Sequence, residues 1–326
     1  MLEYLKYVKI IPKRIMKGMF FHDTKYMLDK IYEKIYPLEK RKPYRPKHLW
    51  LETTNRCNSN CIFCGREYAQ PPQDMDFDLF KRIIRECPQA KIVQTQGFGE
   101  PLLYPHVVDA VEYSYKPGRR TLFYTNAYAL TESLGQQLLD AKLTQINFSV
   151  DGADKETYEY FRVGLKWETT LKNIERFQKM KEKGGYNTLT VIRMCETKEN
   201  SAQIPDIVKF WEEHVDFVSV KPEVYIPSPL ELRANLTTSG PPIKCPNPYA
   251  HLSVKSNGDL VMCCRDWFDI YKMGSLVGNR INDVYNNDTF NAMRKALQSG
   301  IDYPTMCHYC QVDLPEPRGS NHKDVI

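Results

Sequence analysis

Hydrophobic and polar positions along this chain alternate between two periods. Short apolar or β-branched runs at Leu49–Glu52, Lys91–Thr95, Thr121–Tyr124, Gln145–Val150, Thr188–Met194 and Phe217–Lys221 have strand length and end at polar clusters. Between them, Phe77–Cys87, His106–Tyr115, Leu130–Ala141, Leu165–Lys183 and Ile204–His214 place apolar residues three and four apart, the spacing of a helix with one buried face. About six strand–helix units in alternation predict an α/β fold with a parallel sheet. The expected form is a partial (β/α)6 TIM-like barrel, with binding residues at the C-terminal strand ends.

The two ends of the chain read differently. Residues 1–47 form a basic arm with helical stripes at Leu2, Leu5, Val8, Ile11 and Ile15, and at Met27, Leu28, Ile31 and Ile35. It holds 13 Lys/Arg against 5 Asp/Glu, so the +5 net charge belongs to the arm and the rest carries about −3. Such an arm packs on the main domain, or lies on an anionic membrane surface, or grips an acidic partner. Lys40–Pro46, with two prolines, reads as a linker. The main domain runs over 48–230. Beyond it, 231–326 reads as a small β-hairpin/helix domain. Cys245-Pro246 opens it, Leu252–Cys264 forms a hairpin about an Asn257-Gly258 turn, and Cys307-His308-Tyr309-Cys310 closes it.

Composition narrows the class. The chain has 326 residues, 42% hydrophobic, enough for a sizeable core. No signal-like apolar stretch and no run of ~20 apolar residues is visible, so a cytoplasmic protein is expected. Ten cysteines in that setting point to metal or catalysis rather than disulfides. The body carries no basic excess, and no nucleic-acid partner is expected.

Candidate chemistry centres on Cys57-Asn58-Ser59-Asn60-Cys61-Ile62-Phe63-Cys64. Three thiols in eight residues suit an iron–sulfur cluster with one iron left open to a ligand. A zinc loop is the alternative, although structural zinc usually shows closed coordination by paired knuckles. Other polar groups fall at the ends of the predicted strands. Gly97-Phe98-Gly99-Glu100-Pro101 ends the second and offers close backbone approach at Gly99 and an acceptor at Glu100. Thr125-Asn126 ends the third; Asn126 either meets a ligand or caps the next helix. Ser149-Val150-Asp151-Gly152 ends the fourth, and Arg162 follows, with a guanidinium suited to a carboxylate.

C-x3-C-x2-C with an aromatic residue before the last Cys resembles the cluster loop of the radical S-adenosylmethionine (radical SAM) superfamily. The later strand-end motifs resemble that family's in the same order, with Phe98 and Ala127 standing where it has glycine. The resemblance implies that Cys57, Cys61 and Cys64 hold a [4Fe–4S] cluster whose fourth iron takes the amino and carboxylate groups of S-adenosylmethionine (SAM). It implies that Phe63, Gly99, Glu100, Asn126, Ser149, Asp151 and Arg162 surround that cofactor; Asn200 has a weaker counterpart, and Arg193 has no assigned role. One electron then releases a 5′-deoxyadenosyl radical, which abstracts a substrate hydrogen.

Residues 245–310 resemble the SPASM/twitch extension of that family. This implies one auxiliary [4Fe–4S] cluster on Cys245, Cys263, Cys307 and Cys310, with Cys263 preferred to Cys264; a zinc ribbon is the alternative. Cys87 and Cys195 read as structural thiols. The expected function is a radical SAM oxidoreductase acting on a small polar molecule of sugar or cyclitol type, fed by an electron donor such as flavodoxin or ferredoxin. A peptide- or protein-modifying maturase is the second reading, and a non-catalytic metal-stabilised scaffold the third. His308, Tyr309, Tyr225, Glu223 and Asp266 are the candidates for a general base.

Overall fold

The structure, a computed structural model, describes residues 42–68, 70–223 and 227–312. The arm before residue 42 and Tyr225 lie outside the described residues. Six parallel strands form the body: β1 (His48–Leu51), β2 (Ile92–Thr95), β3 (Arg120–Thr125), β4 (Gln145–Ser149), β5 (Leu189–Glu196) and β6 (Phe217–Pro222). Each crossover carries a helix: α1 (Phe77–Glu86), α2 (Val107–Ser114), α3 (Glu132–Asp140), the pair α4 (Lys155–Phe161) and α5 (Trp167–Lys183), and α6 (Ile204–Glu212). The expected strand–helix alternation is present. The short α4 is an addition: Asp154 caps it by accepting from Thr157 N, and it delivers Arg162 at its C-terminal end.

Residues alternate between the two faces of each strand. Leu49, Leu51, Val93, Phe123, Ile146, Phe148, Ile192 and Met194 point to the helical layer and are at most 3% exposed. They meet Phe80, Ile83, Val111, Leu138, Ile174, Phe177, Ile207 and Trp211 of the helices in one continuous apolar core.

The other face is polar. His48 Nε2 donates to Gln94 Oε1 at 3.1 Å, and Gln94 Nε2 donates to Gln96 Oε1 at 2.6 Å. Arg120 donates to Gln145 Oε1, and Gln145 Nε2 to Asn147 Oδ1 at 2.7 Å. Arg193 reaches Asn147 Oδ1 at 3.2 Å and Ser219 Oγ at 2.9 Å. A barrel interior is ordinarily filled by branched apolar side chains; here buried Trp50, Leu122 and Val191 share that face with a run of bonded amides and guanidiniums.

The C-terminal segment is joined to the sheet itself. β8 (His251–Val254) pairs in parallel with β1, and β9 (Asp259–Val261) and β10 (Lys272–Ser275) continue antiparallel. The result is one nine-stranded sheet in the order β10-β9-β8-β1-β2-β3-β4-β5-β6. The hairpin loop holds three residues rather than the two expected from Asn257-Gly258: Lys255 N bonds Asp259 O, and Gly258 takes φ +83. The remaining elements are α7 (Pro229–Ala234), a small pair of β7 (Thr237–Thr238) with β11 (Tyr303–Pro304), α8 (Asn247–Ala250), α9 (Ile281–Tyr285), α10 (Asp288–Ser299) and α11 (Thr305–Val312). Buried Arg294 on α10 fastens this unit to the linker, its guanidinium 4.4 Å from the Tyr44 ring and 3.9 Å from Phe290. Among the described residues no helix is long and apolar enough to cross a membrane.

Candidate active site at the barrel rim

The three-thiol loop leaves β1 at the rim and is held from two sides. Residues 70–75 return beneath it. Asn55 Nδ2 donates to Gln70 O and Pro71 O at 2.9 and 3.0 Å, its Oδ1 accepts from Gln73 N at 2.6 Å, and Arg56 Nε reaches Asp74 Oδ1 at 3.0 Å. The α4 terminus supports the far side: Asn60 N bonds Val163 O at 2.9 Å and Ile62 N bonds Phe161 O at 3.2 Å. A side chain at Gly99 would not fit against this loop, since its Cβ would lie 2.2 Å from Thr54 O and 2.8 Å from Arg56 O. The backbone of the Gly-Phe-Gly stretch thus packs directly on the strand that carries the thiols.

Arg162 joins the loop to the fourth strand end. Its Nε donates to Asp151 Oδ2 at 2.7 Å and its Nη1 to Cys61 Sγ at 3.4 Å, while its guanidinium lies 5.2 Å from the Phe63 ring. Burial opposes the charge of Arg162, but Asp151 and Cys61 outweigh it and hold the pKa above the ordinary value. Phe63 also meets Phe161 at 6.1 Å.

Glu100 is 3% exposed, and both its oxygens are engaged. Oε1 accepts from Thr125 Oγ1 at 2.5 Å and Leu102 N at 3.1 Å; Oε2 accepts from Asn126 N at 2.7 Å. Burial raises its pKa, and these donors oppose the rise. Asn126 does not cap the next helix, whose cap is Thr131 accepting from Leu134 N; its Oδ1 accepts from Tyr128 N at 3.0 Å, and its Nδ2 donates to Asn58 Oδ1 in the thiol loop at 2.8 Å. Ser149 sits half-buried at the end of β4, paired in register with Arg193. Asp151 also accepts from Cys195 N at 2.8 Å, and Asn200 Nδ2 bonds Cys195 O at 2.9 Å.

Cys57, Cys61, Cys64, Glu100, Asn126, Asp151 and Arg162 therefore share one connected rim. Burial, then the charge of Glu100, pushes the Cys57 thiol up to about 11; burial, then Cys61, raises Cys64. Bare, Cys57 and Cys64 hold their protons, and soft iron is the kind of centre that displaces them. An Arg donor on one sulfur is also a feature that tunes an iron–sulfur centre. The donor set fits a three-thiolate cluster.

A second thiol set lies on the C-terminal unit. Cys245 precedes α8, Cys263 and Cys264 follow β9, and Cys307 and Cys310 sit one turn apart on α11. Each affects the others: burial first, then Cys310 and Cys264, pushes Cys245 up to about 11. Cys263 is raised by burial and then by Cys264, Cys307 and Cys245; burial and then Cys310 act on Cys264. Cys264 therefore acts electrostatically on Cys245 and Cys263 alongside the four thiols that sequence counting assigned. Among the described residues no three His, Cys, Asp or Glu side chains are grouped to hold a single metal ion; a cluster distributes its thiolates over separate irons.

The two thiol sets are joined by a contact that the sequence reading did not find. The Phe98 ring packs 6.0 Å from Trp267 and 6.1 Å from Phe268, both just past Cys264, and Phe268 also touches Gly65 beside Cys64. Lys255, 3% exposed, lies 5.2 Å from the Phe98 ring, 3.5 Å from Glu52 Oε2 and 3.0 Å from Asp269 Oδ1. The only available signal was Phe98 in place of a small residue. Among the base candidates, Asp266 is committed to holding a turn, accepting from Ile270 N and Tyr271 N at 2.9 Å each. His308 Nδ1 lies 3.4 Å from Tyr303 Oη. Cys87 is buried; Cys195 is partly exposed at a strand end.

Residues 51–211 match the Radical SAM superfamily profile, and residues 245–311 match SPASM, an iron–sulfur cluster-binding domain. The chain belongs to the radical SAM superfamily and carries a C-terminal SPASM domain. Its cofactors are the SAM-binding [4Fe–4S] cluster, SAM and an auxiliary iron–sulfur cluster, and members of the superfamily catalyse radical reactions. A tungsten-containing aldehyde ferredoxin oxidoreductase cofactor-modifying protein of Pyrococcus furiosus is 28% identical over 173 residues, half of this chain and 48% of that protein. An AdoMet-dependent heme synthase of Methanosarcina barkeri is 32% identical over 139 residues, 41% of this chain and 40% of that protein. The chain thus spans less than half of either relative. The solved structure of Streptococcus suis SuiB bound to S-adenosylmethionine superimposes with TM-score 0.63 at 20% identity, covering 83% of this chain and 73% of SuiB; that likeness concerns the fold.

Proposed function

We propose that the protein is a radical SAM oxidoreductase acting on a small, polar, hydroxyl-rich molecule. Cys57, Cys61 and Cys64 hold the SAM-binding cluster, and Cys245, Cys263, Cys307 and Cys310 hold the auxiliary one. Bound there, the cluster and SAM supply a 5′-deoxyadenosyl radical that takes a hydrogen atom from the substrate. Arg162 and the spare lone pair of Glu100 address the charged ends of the methionyl group, and Asn126 and Ser149 the nucleoside side. Phe63 shields the reacting face from water. A cytoplasmic, reducing setting suits ten free thiols.

The observation that carries the substrate class is the polar concave face. Gln94 bonds Gln96, and Arg193 bonds Asn147 and Ser219, along the inner face of the sheet below the rim. A hydroxylated molecule exchanges hydrogen bonds with such a network at little cost, whereas an apolar one gains nothing from it. The test is anaerobic incubation of reconstituted protein with SAM, dithionite and panels of deuterated sugars, cyclitols and peptides. Deuterium in 5′-deoxyadenosine from a sugar or cyclitol supports the reading. Label only from peptides replaces it with the maturase reading.

A further inference from the structure

The thiol loop ends against the C-terminal unit. Its middle is hydrogen-bonded to the end of α4, but Gly65, next to Cys64, meets aromatic rings. A Cβ there would lie 2.8 Å from Phe268 Cε1 and 3.8 Å from Phe98 Cε1, so both rings rest on bare backbone. Tyr68 meets Phe268 edge-on at 5.5 Å. Phe268 itself is held by its own turn, residues 266–271, which begins two positions after Cys264. Asp266 accepts from Ile270 N and Tyr271 N at 2.9 Å each, and Lys255 Nζ donates to Trp267 O at 3.1 Å and pairs with Asp269 at 3.0 Å. Lys255 also pairs with Glu52, whose Oε2 accepts from Phe98 N at 3.1 Å. Contacts therefore run without a break from Cys264, through the 266–271 turn and Phe268, to Gly65 and Cys64.

Resting on the proposed ligand sets, we infer that Phe268 is a positioning residue for the rim: it carries the occupancy of the C-terminal thiols to the thiol loop, so that SAM binds more tightly when those thiols are loaded. When Cys245, Cys263, Cys307 and Cys310 are bound together, the chain just before the turn is fixed. The turn is internally bonded and moves as a unit, and a ring packed on backbone transmits position because close-packed contacts resist compression. When the C-terminal thiols are empty, the end of β9 is released, and the ring against Gly65 with it. The two sites then share a coupling free energy, which by linkage acts equally in both directions.

The test measures the SAM Kd by equilibrium dialysis on the full chain, reconstituted anaerobically, as wild type, Phe268→Ala, Cys307→Ala with Cys310→Ala, and all three changes together. Low-temperature EPR of the reduced proteins, with and without SAM, reads the rim cluster without turnover. Phe268→Ala is expected to keep the iron content of wild type, weaken the Kd by at least about fivefold and alter the EPR change that SAM produces. Emptying the C-terminal thiols is expected to weaken the Kd by at least about fivefold when Phe268 is present, and by less than about twofold in Phe268→Ala. An unchanged Kd in Phe268→Ala overturns the inference, and this arm stands even where the thiol variant does not stay soluble. Losses that add in full overturn it in favour of a merely structural role. Failure of the rim assignment is read separately: wild type loaded with both clusters then binds no SAM, and the inference falls with it.

Discussion

Arg162 and Cys61, 101 positions apart, meet at 3.4 Å between a guanidinium nitrogen and a sulfur. The same guanidinium holds Asp151, whose side chain is 1% exposed. Arg162→Ala would strand that carboxylate, and breaking a buried pair typically costs 3–5 kcal/mol, roughly. We expect urea unfolding of the apoprotein to show a loss of about 3 kcal/mol, and SAM binding by the reconstituted protein to weaken at least tenfold. The double variant Arg162→Leu with Asp151→Asn should recover part of the stability but none of the SAM affinity. Stability unchanged in Arg162→Ala would remove the pair from the account.

Lys255 makes a second such prediction, in the seam between the two thiol sets. Replacing it by Met leaves Glu52, 3% exposed, and Asp269 facing each other without their cation. A loss of about 3 kcal/mol is expected in urea unfolding. Glu52→Gln added to Lys255→Met should restore part of it, and a strictly additive double variant would contradict the coupling.

Parallel pairing of β1 with β8 places His48 opposite His251, their rings 4.3 Å apart. Burial lowers His48 to about 4, helped by Arg120 and opposed by its bond to Gln94; burial and then His48 lower His251 to about 3. Nδ1 of His251 is buried and makes no hydrogen bond in the structure. Both pKa values are depressed on folding, so the unfolded chain takes up protons first as pH falls. The stability is intact above pH ~6.5 and is lost progressively toward pH 4 and below, with about 2 kcal/mol gone by pH 5 from His48 alone. Urea midpoints at pH 7.5 and 5 measure it. In His48→Gln the slope should flatten; a slope equal to wild type would rule out the pair as its source.

Gly99 tests the packing beneath the thiols. In Gly99→Ala the new methyl meets backbone oxygens of Thr54 and Arg56, which cannot move without moving the loop. Iron retained after anaerobic reconstitution should fall by about the share of one cluster, with the auxiliary site still loaded. Full iron content in this variant would mean that the loop tolerates the shift.

Strand and helix positions were legible because their apolar periods are long and clean, and the rim motifs fall at predicted strand ends. The junctions were not legible. Pairing of His48 with His251 is a register between segments about 200 residues apart, and nothing local in either run announces it. Glu52 and Lys255 each look like a strand's polar edge until the sheet sets them 3.5 Å apart. Glu100 was readable as an acceptor; that Thr125 and Asn126 already use most of its lone pairs depends on how β3 ends beside it. Counting cysteines found the second thiol set but could not say that Cys264 acts on its members as closely as Cys263 does, since the two are adjacent in sequence.

The most direct measurement compares wild type with the triple variant Cys57→Ala, Cys61→Ala, Cys64→Ala, both reconstituted anaerobically, reduced and given SAM. Wild type should release 5′-deoxyadenosine and methionine in equal amounts. The variant should release neither, while keeping the iron bound by the C-terminal thiols. Cleavage by the variant at the wild-type rate, or no cleavage by iron-loaded wild type, would contradict the assignment of the rim.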